Sequence, residues 1–152
     1  MKKYLTAFLV LMLAFILCTN TGVYAATKKQ KISVYYEEDV KSKYGTYYRY
    51  KLKSGTPEAK VFFVPNKAVK NFKLVGLEWE STDDNGKNTY KTTVLFKTKK
   101  LTPKKPLLAD VEMFGTMPRL GISYVDSSGK TRKFVLYQSG KDESVQLSKE
   151  EF

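Results

Sequence analysis

The sequence predicts an all-β fold, an antiparallel two-layer β-sandwich of about eight short strands, with a barrel as the alternative. Several short segments alternate apolar and polar residues at period two, as strands with one buried face do. Turn signals rich in Gly, Asn, Asp and Pro separate those segments at regular spacing. No segment has the length and periodicity of an ordinary helix.

The chain begins with a segment typical of a secretory signal. Lys2 and Lys3 precede the apolar run Leu5–Cys18, and small residues lead to a predicted cleavage between Ala25 and Ala26. The run is shorter than the ~20 residues of a spanning helix, which favours cleavage over a retained anchor. Bulky Leu17 immediately before Cys18 disfavours a lipid-anchored cysteine. The sequence therefore predicts a secreted, extracellular protein, with association to the wall left open and membrane contact only during export.

Cleavage would leave 127 residues, enough for one domain with a real core. We expect a mobile basic lead-in over 26–31 and a single domain over 32–152. Without Lys2 and Lys3 the chain has 25 basic and 15 acidic residues, a net charge of +10. A basic exported protein meets wall polyanions, anionic lipid and acidic glycans. The lysine-rich composition and the signal together suggest a Gram-positive bacterium.

The residue types that are missing exclude several chemistries. The chain has no His, and Cys18 is its one Cys, so the mature protein has no disulfide and no thiol or imidazole nucleophile. The usual ligands of zinc, copper and haem are also lacking, and no cofactor is expected. The segment Asp83–Gly86 lacks the further oxygen ligands of a calcium-binding loop and is read as a plain turn. The segment Ser127–Lys130 matches the Ser-x-x-Lys spacing of some catalytic sites, but those sites place both residues on a helix, and here they fall at a hairpin tip.

The first half of the domain is predicted to contain four strands. Phe72 and Leu74 occupy even positions and Leu77 and Trp79 odd ones, so in a regular strand the two pairs would lie on opposite faces. A bulge at Gly76, between them, would return both pairs to one face and is predicted there. The predicted strands are Ile32–Tyr36, Tyr47–Leu52, a central Val61–Val64 and Phe72–Ser81, with one helical turn at Lys67–Asn71.

The next strand, Thr89–Thr98, is predicted to pair with Phe72–Ser81 across the turn Asp83–Gly86. That register sets Trp79 opposite Tyr90 in the core and Glu78 opposite Lys91 on the other face. Inward-facing residues would be Tyr90, Val94 and Phe96. A basic, proline-marked connection, Lys99–Pro106, and a further strand, Leu107–Phe114, follow.

The clearest local pattern is the hairpin within Met117–Ser144. Ser127-Ser128-Gly129 fits a three-residue loop whose last residue takes a positive φ, which glycine adopts without steric cost. This turn sets Ile122 opposite Phe134 and Leu120 opposite Leu136, so turn type and apolar pattern predict one register. Val145 and Leu147 are expected in a short last strand.

Two segments carry a resemblance: FVPNKAVKNFKLVGLE and PRLGISYVDSSGKTRKFVLYQSGKDES. Over Val61–Phe152 the chain resembles small exported proteins of gut and soil bacteria, a family without an assigned activity. The pattern GISYVD-x-x-G, then Phe, then SGKD-x-S is its most recognisable part. The resemblance implies export and a β-rich domain, and it brings no catalytic residues.

The best candidate binding residues are the lysines of the basic connection. Five of them fall within nine positions, which is either a solvated face or a docking site for an anionic polymer. Around Gly140, backbone amides could form a second anion-binding concavity, or simply a loop before the last strand. The candidate binding residues are Lys97, Lys99, Lys100, Lys104, Lys105, Ser139, Gly140 and Lys141.

Paired carboxylates are the one candidate for catalysis. Glu78 and Glu80 share a strand face, as do Asp110 and Glu112, and glycosidases need two carboxylates across a cleft. Alternating acids on an exposed face are ordinary, however, so no catalytic residue is predicted. Convergence of these carboxylates in one concave pocket would favour an enzyme, and a flat, lysine-paired face would exclude one.

The sequence therefore favours a non-catalytic extracellular binding module whose partner is an anionic wall polymer or an acidic glycan. The alternatives are a carboxylate-dependent hydrolase and a structural or inhibitory protein that binds another protein. Sequence-specific binding of nucleic acid is not expected.

Overall fold

The computed structural model describes residues 31–53, 55–113, 117–149 and 152. The predicted signal, its cleavage site and residues 26–30 of the lead-in lie outside the described residues. The described chain forms two sheets of four and five strands that face each other, and neither sheet closes on itself. This arrangement confirms the predicted all-β sandwich. Within the described ranges, no helix has the length and apolarity that crossing a bilayer requires.

Nine strands and one short helix make up the described part of the chain. The smaller sheet has the order β1-β3-β6-β2 and the larger one β5-β4-β7-β8-β9. The elements are β1 Ile32–Tyr36, α1 Glu37–Val40, a 3-10 turn Lys41–Lys43, β2 Tyr48–Tyr50, β3 Ala59–Pro65, β4 Val69–Thr82, β5 Asn88–Leu101, β6 Leu107–Val111, β7 Leu120–Val125, β8 Thr131–Gln138 and β9 Val145–Lys149.

Six of the seven strand pairings in the described part of the chain are antiparallel. The exception is β2, which runs parallel to β6 and pairs Tyr48 with Leu107. The main core lies between the sheets and contains, among others, Phe63, Phe72 and Ile122, each fully buried. A smaller cluster of Val40, Phe62 and Leu108 lies on the outer side of the small sheet under α1.

Both predicted hairpin registers are confirmed. Ile122 pairs with Phe134 and Leu120 with Leu136, and Gly129 has the expected positive φ of 78°. In the β4–β5 hairpin, Trp79 pairs with Tyr90. The chain therefore turns where the sequence predicts and pairs as the turn requires.

The predicted bulge at Gly76 is wrong. β4 pairs with β7 without a break through Gly76, and the register shift against β5 comes one step earlier, where Leu95 is the extra residue. The parity change arises because β4 has apolar residues on both faces. Phe72 and Leu74 join the main core. A second cluster on the outer face of the large sheet contains Val75, Leu77, Tyr90 and Val135, with Phe152 packed against it.

Trp79 and Val94 are not core residues, contrary to prediction. Trp79 is 48% exposed and Val94 51%. Trp79 lies beyond the Gly76–Leu120 pair, the last between β4 and β7, so none of the described strands pairs with the end of the long hairpin on that side. Val94 faces outward because the extra residue Leu95 reverses the alternation of β5.

Two predicted boundaries are also wrong. Lys67–Asn71 does not form a helical turn, because β4 already begins at Val69. The predicted connection from Lys99 is shorter than expected, because β5 continues through Lys99 and Lys100 to Leu101. Both differences extend the β4–β5 hairpin, and they decide where the lysines lie.

Candidate functional site

Four lysines form two cross-strand pairs on the β4–β5 hairpin. Lys70 lies directly opposite Lys100, and Lys73 directly opposite Lys97. Paired residues of this kind have Cα atoms about 4.5–5.5 Å apart. We call Lys70, Lys73, Lys97 and Lys100 the lysine face.

All four side chains lie on the solvent side of the large sheet. On β4, Val69 and Phe72 both lie in the core, so the lysine that follows each of them faces outward. Two residues separate Lys70 from Lys73, and an irregularity at Asn71, whose φ is +49°, lets both lysines share one face. The lysine face is therefore a fixed feature of the sheet and not of a mobile loop.

Like charges directly opposite each other on neighbouring strands destabilise a sheet. None of the four lysines forms an ion pair with an acidic residue among those that the structure describes. By contrast, Lys91 further along the same hairpin pairs with Glu78 at 3.5 Å, as the sequence predicts. The lysine face is thus a local concentration of positive charge without a described counter-charge.

The other predicted lysines divide into two groups. Lys99 lies between Lys97 and Lys100 on β5 and is exposed. Lys104 and Lys105 belong to the tight turn after β5, closed by the hydrogen bond from Lys105 N to Thr102 O. The Lys105 ammonium lies 4.4 Å from the ring centre of Tyr48 on the small sheet, which draws it away from the lysine face.

Ser139, Gly140 and Lys141 lie in the β8–β9 turn, which is not brought together with the lysines. In the large sheet, β9 and β5 are opposite edges. The amides of this turn mostly donate to its own oxygens: Lys141 N to Ser139 Oγ, Glu143 N to Ser139 O and Ser144 N to Asp142 Oδ1. The Asp142 carboxylate adds a negative charge there, so the geometry gives an anion site no support.

A separate cleft of about 660 Å³ opens at the end of the sandwich. The cleft lies beside the part of the β4–β5 hairpin that extends past the end of β2. Tyr50 and Leu52 contribute from the small sheet, Gly76 and Leu95 from the hairpin, and Met117 from the segment before β7.

Two of the four candidate carboxylates, Glu78 and Glu112, line this cleft. Each has a cationic neighbour, Lys91 at 3.5 Å and Arg119 at 3.6 Å respectively, and their side chains are 74% and 42% exposed. A glycosidase acid instead lies where its surroundings disfavour charge. The convergence that would favour an enzyme is therefore present, but each carboxylate is exposed and paired.

Asp110 is accounted for by the fold. It is 7% exposed and accepts a 2.6 Å hydrogen bond from Arg49 Nη2 across the β2–β6 pair. Breaking such a pair strands a largely buried charge, which gives Asp110 a structural role. Among the described residues, no group of three or more Asp, Glu, Cys or His lies close enough to hold a metal ion.

Sequence reasoning missed Lys70 because it assigned residues 67–71 to a helical turn. It placed Lys73 in the strand Phe72–Ser81 but followed the pairing with the next strand only as far as Leu77. Continuing the predicted register beyond Leu77 would have set Lys73 opposite Phe96, and only the extra residue Leu95 brings it opposite Lys97. The cleft gave no sequence signal, since its walls come from four separated segments.

No family model matches the chain, and no curated protein or solved structure is detectably similar to it. The resemblance to small exported bacterial proteins stays a prediction.

Proposed function

We propose that this protein is a non-catalytic extracellular binding module that holds an anionic polymer on the lysine face. The supporting observation is the two cross-strand lysine pairs, Lys70 opposite Lys100 and Lys73 opposite Lys97. Such pairs cost stability, and departures from locally favourable chemistry are expected where function requires them. A polyanion supplies the missing counter-charge.

The polymer class follows from the chemistry of the surface. Lysine presents a compact point charge and not a planar fork, so it suits phosphate or carboxylate groups repeated along a chain and selects weakly among them. The lysines lie on a rigid sheet, and Lys99 extends the charge along the β5 edge. Wall teichoic acid and acidic glycans have the required charge.

The test compares three proteins by sedimentation with purified Gram-positive walls and by titration with poly(glycerol phosphate) and polygalacturonate. One variant replaces the four lysines of the lysine face with Thr. The matched control replaces four other exposed lysines with Thr, which lowers the net charge equally: Lys43, Lys51, Lys53 and Lys67.

Wild type and control should bind at low salt and release as salt rises, because binding frees condensed counterions. The lysine-face variant should bind about tenfold more weakly or worse, with a shallower dependence on salt. Equal loss in both variants would show that net charge alone is responsible and would refute the site. Binding unchanged in the lysine-face variant would refute the proposed function.

A further inference from the structure

The lysine face continues along β4 into a strip of apolar and aromatic side chains on the same side of the large sheet. Residues two apart on a strand share a face, so the outward row of β4 runs from Lys73 through Val75 and Leu77 to Trp79. Val75 and Leu77 belong to the cluster on the outer face, which fixes the side on which this row lies. A ligand that follows β4 from the lysines therefore passes from charge to an aromatic ring.

Trp79 is the exposed end of this strip. It pairs with Tyr90, which belongs to the same outer cluster, so the indole lies on the outer face. The indole N–H donates to Thr82 Oγ1 at 3.2 Å, and about half of the residue is exposed. Because the N–H already has a partner, the ring offers mainly its apolar surface to a ligand.

One extended polymer reaches both the lysines and the indole. At the rise of a strand, about 3.3 Å per residue, Lys73 and Trp79 lie about 20 Å apart. Two cross-strand pairs lie between them, and neither carries a charge: Val75 with Val94, and Leu77 with Thr92. A short ligand covers one end of this path, whereas a polymer of several units covers both.

These features select among polyanions. The ligand needs repeated negative charge for the lysine pairs and an apolar face for the indole. Acidic polysaccharides have both, since the C–H face of a sugar ring is apolar and its carboxylates are charged. Poly(glycerol phosphate) has the charge but no ring. We propose that the polymer held by the lysine face is an acidic polysaccharide and that one of its sugar rings stacks on Trp79. This inference rests on the proposed function and names the class of its ligand.

An anionic bilayer fits the same face less well. Docking to a bilayer gains from a broad exposed apolar surface. Here the exposed apolar residues, Trp79 and Val94, are separated by the pair of Leu77 and Thr92. Leu77 is only 8% exposed and adds little to that surface. A sugar ring needs one exposed aromatic side chain, which Trp79 supplies.

Trp79 is the single tryptophan of the chain, so the fluorescence of the whole protein reports on this end of the strip. Titrations at low salt compare polygalacturonate, poly(glutamate) and poly(glycerol phosphate), of which only the first has sugar rings. Polygalacturonate should shift the emission to shorter wavelength, because a stacked ring displaces water from the indole. The other two should bind the lysine face without that shift. Digalacturonate, which is too short to extend from the lysines to Trp79, should also give no shift.

Calorimetry with variants localises the stacked ring. Trp79→Ala should weaken polygalacturonate binding about tenfold and leave poly(glutamate) binding unchanged. Trp79→Tyr, which keeps an aromatic face, should restore most of the affinity. The control is Tyr35→Ala, which removes an aromatic side chain that is 39% exposed on β1 of the small sheet, and it should bind as wild type does. Circular dichroism checks that all three variants are folded.

Three outcomes would overturn the inference: an equal shift with poly(glutamate), unchanged polygalacturonate binding by Trp79→Ala, or an equal shift with phosphatidylglycerol vesicles, which would identify a bilayer as the occupant. Trp79→Ala keeps the lysine face, so the two proposals fail separately. If Trp79→Ala binds polygalacturonate as wild type does while the lysine-face variant does not, this inference fails and the proposed function stands. If none of the three polymers binds wild type, the proposed function itself fails.

Discussion

Gly121 of β7 lies directly beneath the ring of Phe152. A Cβ at position 121 would come within 2.9 Å of two ring carbons and within 3.2 Å of the Phe134 carbonyl oxygen. Lys133 donates to the Phe152 carbonyl oxygen, and its ammonium lies 5.1 Å from the centre of the same ring. The absence of a side chain at Gly121 is therefore what lets Phe152 cover the cluster of Val75 and Val135 on the outer face.

We expect Gly121→Ala to destabilise the protein by about 1–3 kcal/mol, the usual cost of overpacking. Urea unfolding would measure it. The control is Gly140→Ala, because nothing lies within 4 Å of a Cβ there. An exposed change of that kind usually stays within about 0.5 kcal/mol. Equal stability of Gly121→Ala and wild type would show that Phe152 does not occupy this position in solution.

The pH dependence of stability should reveal Asp126, which holds the β7–β8 turn together. Its carboxylate accepts hydrogen bonds from Ser128 Oγ at 2.6 Å, Arg132 Nε at 2.7 Å and two backbone amides. These bonds, the Ser128 side chain foremost and then Arg132, hold the pKa of Asp126 well below its usual range. A lowered pKa adds stability at neutral pH that is lost as pH falls from the usual carboxyl range toward the folded-state pKa.

The melting temperature of Asp126→Asn should therefore lie below that of wild type at neutral pH. The gap should narrow as the pH falls below about 4, where free aspartate begins to protonate. Thermal unfolding by circular dichroism at a series of pH values would measure it. Asp84→Asn, in an exposed turn, is the control and should show little difference throughout. A gap for Asp126→Asn that stays constant with pH would contradict an electrostatic role.

The lysine face predicts a gain in stability when it is dismantled. Replacing both Lys73 and Lys97 with Thr removes one like-charge pair and introduces a residue that favours strands. Stability should rise by about 0.2–1 kcal/mol, and the gain should shrink as salt is added. Chemical denaturation at two salt concentrations would measure it. The control replaces both Lys51 and Lys53 with Thr. If it gains as much stability, the effect comes from net charge and not from the pairing of lysines.

Local chemistry was sufficient to predict the hairpins. The loop glycine Gly129 and the alternation around Ile122 and Phe134 together permit one register, and both signals lie within a few residues of each other. The same holds for Trp79 and Tyr90 across their turn. Fold class followed because alternating segments and turn signals are distributed along the whole domain.

Features that depend on where the neighbouring strands end could not be predicted from the sequence. The exposure of Trp79 depends on where β7 ends beside β4, and nothing near Trp79 in the sequence records that. Likewise, the apolar parity change between Leu74 and Leu77 has two explanations, a bulge or apolar clusters on both faces, and alternation alone does not separate them. The sequence identified half of the lysine face, Lys97 and Lys100, while Lys70 and Lys73 required the register.

Among the strands that the structure describes, β5 has a neighbour on one side only, so one edge of a 14-residue strand presents backbone groups to solvent. An edge of this length is a template on which another copy of the same strand can pair, and lysines are a common means of preventing that. Lys97, Lys99 and Lys100 would repel a second β5 brought alongside. Neutralising these charges, by a bound polyanion or by acetylation, would therefore remove a barrier to self-association along this edge.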